Sequence, residues 1–371
     1  MPNLYAIPMR YLFLLSVFVL VSCSDPEEAT PAADTSLYFP PRNTTEWETV
    51  DLGTLGWNES ALPALERFIT TTDTRALIIL KHGRIAYESY AGMNLRGTAA
   101  FDQNSYWYWA SAAKTLTSFL IGQAEAQELL SLNDPSSQYL GRGWSSLSAA
   151  QEEAITVGHH LTMTTGLDYQ VAEPDCTDPE CLQFLNAPGA QWFYHNGPYT
   201  LLDGVISGAS NQSFEAYFEA QLLTRIGMEG FWEYAGYNHL FFSPPRSMAR
   251  FGLLVLAEGM WNGVPVLDHP AFWEDMLHPS QALNPSYGYL WWLNGQGSFI
   301  PPGTTSRIPA DITPAAPDEL VAAIGRNGQL INIVPSQNLV IIRMGNTTDT
   351  ALVPFNIQSQ LWEALNELIV E

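Results

Sequence analysis

Apolar residues recur along this chain at two different periods, and the switch between them divides it. Residues 60–72 carry Leu62, Leu65, Phe68 and Ile69 at helical spacing. Residues 76–80 form an unbroken apolar run, Lys81-His82-Gly83-Arg84 reads as a turn, and residues 85–90 alternate, which predicts a β-hairpin. A helix is expected over 110–130, stopped by Asn133-Asp134-Pro135. From there to about residue 237 the pattern is mostly helix and loop, with helices over 155–165, 199–208 and 213–226. A long buried helix follows over 247–260, through Met248, Phe251, Leu253, Leu254 and Leu256. Strand signals return at 287–293, 320–324, 330–334 and 339–344. A closing helix over 354–369 sets Ile357, Leu361, Leu365 and Ile369 on one face. Strands early and late around a helical block predict an α+β domain over 46–371, with a helical subdomain inserted at roughly 116–240. The Pro/Thr-rich stretch 300–317 reads as a long loop, and loops of that length are often functional.

Composition adds little to fold but narrows partners. With 371 residues, 46% of them hydrophobic, the chain can bury a large core. Its 38 acidic and 15 basic side chains give a formal charge of −23. A surface of that sign repels nucleic acid and anionic membrane faces, so no nucleic-acid partner is expected. A monomer is expected.

The first residues read as an export signal. Arg10 precedes a short apolar run from Tyr11 to Val21, too short to span a bilayer comfortably. Leu20-Val21-Ser22-Cys23 resembles the lipobox of bacterial lipoproteins. That resemblance implies a signal peptide over 1–22, lipidation of Cys23 and a membrane anchor through it. An ordinary secretory signal with a chance cysteine is the alternative. The Pro/Ala/Thr-rich residues 23–45 read as a flexible tether. By analogy, an exported lipoprotein with Ser24 after the cysteine belongs to the outer membrane, facing the periplasm or the surface. In an oxidising compartment Cys176 and Cys181 are expected to form a disulfide across a small loop. Two free thiols are the alternative; a zinc pair lacks a second pair of ligands nearby.

The chemistry starts from lysine. The chain has two, Lys81 and Lys114, and Lys114 follows Ser111 by three places on a predicted helix, so amine and hydroxyl share a face. The stripe Ser111, Lys114, Thr115, Ser118 and Gly122 suits a narrow polar cleft better than open water. Desolvation in such a cleft lowers a lysine pKa and yields neutral amine as a base for a serine nucleophile. A second candidate is Tyr194-His195-Asn196, within Pro188-Gly189-Ala190-Gln191-Trp192-Phe193 and onward. A phenol and a carboxamide two residues apart can reach one site from a turn, whereas His195 between them is aimed elsewhere. A buried Tyr beside an Asn turn is the plain alternative. A third is Gly325-Arg326-Asn327-Gly328-Gln329 between two strand signals, where arginine can hold a negative group. Asn-Gly there is also an ordinary hairpin signal. His159-His160 read as structural.

Taken in order, Ser-x-x-Lys, Tyr-x-Asn and a basic, glycine-containing turn resemble the class C β-lactamase-like serine hydrolases. That broad family includes D-alanyl-D-alanine carboxypeptidases, esterases and 6-aminohexanoate-dimer hydrolase. The resemblance runs from about residue 76 to 345, with Leu161-Thr162-Met163-Thr164-Thr165-Gly166-Leu167, Ile226-Gly227-Met228 and Tyr287-Gly288-Tyr289-Leu290-Trp291-Trp292 as supporting phrases. It implies the β-lactamase/transpeptidase-like α+β fold, an antiparallel sheet flanked by helices, with no metal or organic cofactor. It implies that Ser111 attacks an ester or amide carbonyl and that Lys114 and Tyr194 share the proton work. Asn196 would orient Lys114 or the substrate amide. It places the oxyanion hole at the backbone N–H groups of Ser111 and Gln329, with Arg326, Asn327 and Gly328 binding substrate. The chain departs from the family where Lys-Thr-Gly becomes Arg326-Asn327-Gly328, so a lost hydroxyl argues against β-lactam or D-Ala-D-Ala carboxylate recognition. The expectation is a hydrolase of small esters or amides. The alternatives are a cell-wall carboxypeptidase or β-lactamase, and a non-catalytic peptidoglycan binder. Pocket walls are expected from residues 170–188, 232–245 and 298–317, the second rich in Trp232, Tyr234, Tyr237, Phe241 and Phe242.

Overall fold

The computed structural model describes residues 36–370. The expected signal peptide, Cys23 and most of the tether lie outside them. Eleven strands are β1 (Thr74–Lys81), β2 (Arg84–Tyr90), β3 (Trp107–Tyr108), β4 (Phe231–Ala235), β5 (Asn238–Ser243), β6 (Met260–Trp261), β7 (Val264–Pro265), β8 (Trp292–Leu293), β9 (Val321–Gly325), β10 (Gln329–Val334) and β11 (Leu339–Gly345). The α-helices are α1 (Leu62–Thr71), α2 (Lys114–Ala126), α3 (Ser137–Leu140), α4 (Ala149–Ala154), α5 (Val157–Leu161), α6 (Asn196–Ser210), α7 (Phe214–Phe218), α8 (Thr224–Ile226), α9 (Pro245–Leu256), α10 (Pro270–Met276) and α11 (Phe355–Leu368).

Six strands make one antiparallel sheet in the order β2-β1-β11-β10-β9-β8. All residues of β9, β10 and β11 are buried, which requires cover on both faces and explains why they read as apolar runs without alternation. On one face, Gly252 of α9 brings that helix onto Val340 and Ile331. On the other, Asn332 of β10 accepts hydrogen bonds from Gln358 (2.6 Å) and Trp362 (3.2 Å) of α11. A buried Asn therefore fixes α11 without leaving its carbonyl oxygen unpaired.

The elements differ from the sequence pattern where polar groups intervene. The helix expected over 110–130 begins as a 3-10 turn, Ala110–Ala113, and ends at Ala126, with Glu128 in the left-handed region (φ 57°). The helix expected over 155–165 is only α5, because Thr162 bonds back to the Gly158 carbonyl and Met163 takes φ 58°. The strand expected over 287–293 shrinks to β8, interrupted by Leu290 at φ 64°. Part of the segment expected to wall the pocket, 232–245, belongs to the β4–β5 hairpin, whose β5 pairs with β3.

Residues 36–45, assigned above to the tether, are fastened to the domain. Phe39 packs edge-on against Trp261 (5.2 Å), and Tyr38 N–H donates to the His82 carbonyl (2.9 Å). The buried Arg250 donates to the carbonyls of Pro41 (2.7 Å), Thr44 (3.3 Å) and Ile226 (2.9 Å). Such bonds satisfy the guanidinium without a carboxylate. Cys176 and Cys181 are joined in a disulfide. Among the described residues no helix is long and apolar enough to cross a membrane.

Candidate active site

Ser111 is delivered by a rigid approach. β3 pairs with β5, and the next residue, Trp109, is fully buried. Its backbone N–H donates to the Phe241 carbonyl (2.9 Å), its indole N–H to Ser243 Oγ (2.7 Å), and its ring packs on Phe241 (5.2 Å). Ala110 then takes φ 47°, a conformation that costs a non-glycine residue about 1–2 kcal/mol. This strained step turns the chain into the 3-10 turn that leads into α2. Ser111 thus stands at the N-terminal end of a helical run, where partial positive charge favours developing negative charge.

Three residues on, Lys114 is 4% exposed. Its Nζ lies 3.9 Å from the centroid of the Tyr199 ring and 5.4 Å from that of Tyr194. Burial pulls its pKa down from 10.5 to about 7, while the carboxylates of Asp175 and Asp203 pull the other way. An amine in this environment is about half neutral at pH 7. Tyr194 is buried in an aromatic box, stacked on Trp292 (5.9 Å) and edge-on to Tyr287 (6.2 Å). Burial lifts its pKa well above the ordinary phenol value, and the nearby Ser111 side chain opposes that rise. The phenol is therefore protonated at neutral pH. The side chains at 111, 114 and 194 converge.

Asn196 opens α6. Its Nδ2 donates to Asp175 Oδ1 (2.9 Å), and its Oδ1 is buried without a partner. Asn196, Tyr199 and Asp203 follow at steps of three and four, which puts them on one face of α6. The buried Asp203 bonds His239 Nδ1 (2.8 Å), and His239 Nε2 lies 3.8 Å from Glu215 at the surface. Burial raises the Asp203 pKa, and His239 and Lys114 oppose that rise. Tyr199, Asp203, His239 and Asp175 are site residues that the sequence reading missed. Helical spacing from Asn196 pointed to Tyr199 and Asp203; nothing local marked the other two. Burial lowers the His195 pKa to about 4, against an opposing pull from the Pro174 backbone. His160 is likewise buried against the Pro198 carbonyl (2.7 Å).

The third motif is a hairpin turn between β9 and β10, and its residues part company. Gly325 meets the turn that carries Ser111: a Cβ there would lie 2.3 Å from the Trp109 carbonyl oxygen and 3.0 Å from Ala112 N. Only glycine lets β9 approach this closely. Gln329, assigned above to the oxyanion hole, pairs across from Gly325 on β10, one strand further into the sheet. It is fully buried, and its side chain donates to the Gly345 carbonyl (2.7 Å) and accepts from Gly345 N–H (3.0 Å). The strand end facing Ser111 is thus Gly325 and the residue after it, and the assignment to Gln329 is corrected accordingly. Asn327 donates to Tyr108 Oη (2.7 Å), and the carbonyls of Asn327 and Gly328 accept from the buried Arg343 (3.2 and 2.6 Å). These two residues fasten the turn. Arg326 alone projects an exposed side chain. A cavity of about 1440 Å³ lined by residues 42–47, Arg246 and Arg250 contains none of these residues. Among the described residues no group of three or more His, Cys, Asp or Glu side chains is placed to hold a metal ion.

Comparison with known proteins agrees with this architecture. A family model described as Beta-lactamase matches residues 67–360. A Beta-lactamase of Escherichia coli (strain K12) is 26% identical over 164 residues, 42% of each chain. A Beta-lactamase of Pseudomonas fluorescens is 26% identical over 179 residues, 46% of each. The match thus spans less than half the length of either curated relative. Among solved structures, a Bacillus anthracis protein provisionally described as a 6-aminohexanoate-dimer hydrolase superposes with TM-score 0.64 at 16% identity, over 89% of each chain. The penicillin-binding protein from Bacillus halodurans gives TM-score 0.60 at 16% identity, over 81% of this chain and 99% of that one. At such identities the likeness concerns the fold.

Proposed function

The chain belongs to the beta-lactamase family and has its α+β fold, and from that premise we propose that it is a serine hydrolase cleaving small esters or amides through an acyl-enzyme on Ser111. The observation that carries this reading is the buried Lys114, one helical turn from Ser111 and with its amine 5.4 Å from the ring of Tyr194, whose proton affinity the Ser111 side chain lowers. A buried amine with no use for its charge costs the fold several kcal/mol, so its retention beside a nucleophile favours chemistry.

In this mechanism Ser111 Oγ attacks the carbonyl carbon while its proton leaves toward the Tyr194–Lys114 pair. Neutral Lys114 is the proton sink, because its pKa of about 7 matches the working pH. Tyr194, protonated at that pH, relays the proton and returns it to the leaving alkoxide or amine. The tetrahedral oxyanion is met by the Ser111 backbone N–H and by a donor at the end of β9, each worth a few kcal/mol. Water then repeats the sequence in reverse and frees Ser111. Asn196 orients the amine or the substrate amide, and Arg326 is free to meet a polar or anionic substrate group.

A fluorophosphonate probe tests the reading. Wild type forms a covalent adduct, and Ser111→Ala forms none; equal labelling of the variant removes Ser111 from the mechanism. The names of the curated relatives favour a second reading, a β-lactamase or a cell-wall carboxypeptidase. Turnover of a chromogenic cephalosporin far above that of short-chain esters would decide for it. Arg326-Asn327-Gly328 weighs against it, since Asn327 is committed to Tyr108. The Arg10 and Tyr11–Val21 signal followed by Cys23 supports export and lipid anchoring. Palmitate incorporation lost on Cys23→Ala checks that part.

A further inference from the structure

Asp175 belongs to this site and has no role so far. It immediately precedes Cys176, one end of the Cys176–Cys181 disulfide, and its two carboxylate oxygens are both used. Oδ1 accepts from Asn196 Nδ2 (2.9 Å) and Oδ2 from Asn238 Nδ2 (2.9 Å), at the start of β5. The loop is seated closely. Gly197 N–H donates to the Pro174 carbonyl (3.2 Å), and a Cβ on Gly197 would lie 2.7 Å from the Cys176 carbonyl oxygen. Tyr237 donates to Asp178, within the disulfide loop.

These contacts fix a direction. An amide has one donor end and one acceptor end. With its NH₂ held by Asp175, Asn196 turns a buried, unpartnered carbonyl oxygen the other way, as an acceptor for an ammonium or a substrate N–H. The second consequence is charge. The groups acting on Lys114 are Tyr194 just before α6, Tyr199 and Asp203 on α6, with His239 and Glu215 behind Asp203, and Asp175 beside the disulfide. Asp175 and Asp203 are the two that favour the protonated amine.

We propose that Asp175 is a positioning residue of this site: clamped by the disulfide loop, its carboxylate sets the orientation of the Asn196 amide and supplies negative charge opposite Lys114. The proposal rests on the hydrolase reading for its effect on turnover, but not for its effect on the amine.

The chain has two lysines, so a lysine-labelled (¹³C) protein gives two ε-carbon signals that a Lys81→Arg variant assigns. In wild type the Lys114 signal titrates near pH 7. In Asp175→Asn, which keeps the side-chain shape, its midpoint moves to lower pH, because a charge favouring the ammonium is gone. The double variant Cys176→Ser/Cys181→Ser moves it the same way as the loop leaves the site. Asp175→Ala also frees the Asn196 amide, and kcat falls about five- to a hundredfold, as for other buried polar groups that lose a charged partner. A Lys114 midpoint unmoved or raised in Asp175→Asn overturns the proposal, and so does wild-type kcat in Asp175→Ala. Failure of the hydrolase reading looks different. In that case Ser111→Ala keeps its turnover, while the midpoint still reports on Asp175.

Discussion

Replacing Lys114 by Met tests the central physical argument without any substrate. Burial lowers this amine from 10.5 in the unfolded chain to about 7 in the folded one, a shift worth about 5 kcal/mol at 1.36 kcal/mol per unit. The sign follows from proton binding. Between pH 7 and 10.5 the unfolded chain holds a proton on this lysine that the folded chain has released, so stability rises with pH. The penalty is complete below pH 7, about 4 kcal/mol at pH 7, about 2 kcal/mol at pH 9 and nearly gone above 10.5. Methionine fills similar volume and never ionises. Lys114→Met should therefore be more stable than wild type at pH 7, and its advantage should shrink by about 2 kcal/mol at pH 9. Urea unfolding of both proteins at pH 6, 7, 8 and 9 reads this directly, because titrating groups remote from Lys114 cancel in the difference. A gap independent of pH, or one that widens as pH rises, would mean that the lysine keeps its ordinary proton affinity and that the cleft is wet.

Other outcomes follow from the same geometry. The kcat/KM profile for an ester should rise through a midpoint near pH 7, since neutral Lys114 is the active form; a profile flat from pH 5 to 8 contradicts that. Lys114→Arg keeps a cation that cannot deprotonate, so kcat should drop about 10²- to 10⁴-fold, measured in steady-state assays. Gly325→Ala pushes β9 away from the Trp109 carbonyl and should lower kcat at least tenfold while the protein stays folded by circular dichroism. Arg343→Met strips donors from the carbonyls of Thr72, Asn327, Gly328 and Asn346, and should cost about 3 kcal/mol or more in urea denaturation.

What the sequence disclosed depended on how far apart the partners lie along the chain. Ser111 and Lys114 are one helical turn apart, so local periodicity pairs them, and the scarcity of lysine makes the pair conspicuous. The central strands were legible because β9, β10 and β11 are covered on both faces and read as unbroken apolar runs. The β4–β5 hairpin was not, because Phe231 and Tyr234 point aromatic rings at solvent, which breaks the link between apolarity and burial. Asp175 and His239 could not be read at all. Their partners stand 21 and 36 residues away, and their arrival depends on a disulfide loop and a hairpin closing over α6.

The Gln329 assignment failed for a related reason that concerns sheets in general. Counting along a motif treats neighbouring residues as neighbours in space. Across a hairpin turn, Gly325 and Gln329 are four residues apart yet stand opposite each other on adjacent strands. The outer strand makes its close approach to the turn that carries Ser111 through Gly325, and the glycine is there because a side chain would collide with the Trp109 carbonyl. The inner residue, held by its two bonds to Gly345, fixes the register that brings the outer one into place. Gln329→Ala should therefore act through that register. The strand β9 would lose its alignment with the nucleophile turn, and kcat and stability would fall together. A variant that lost turnover at undiminished stability would instead argue for a direct role of Gln329 in the chemistry.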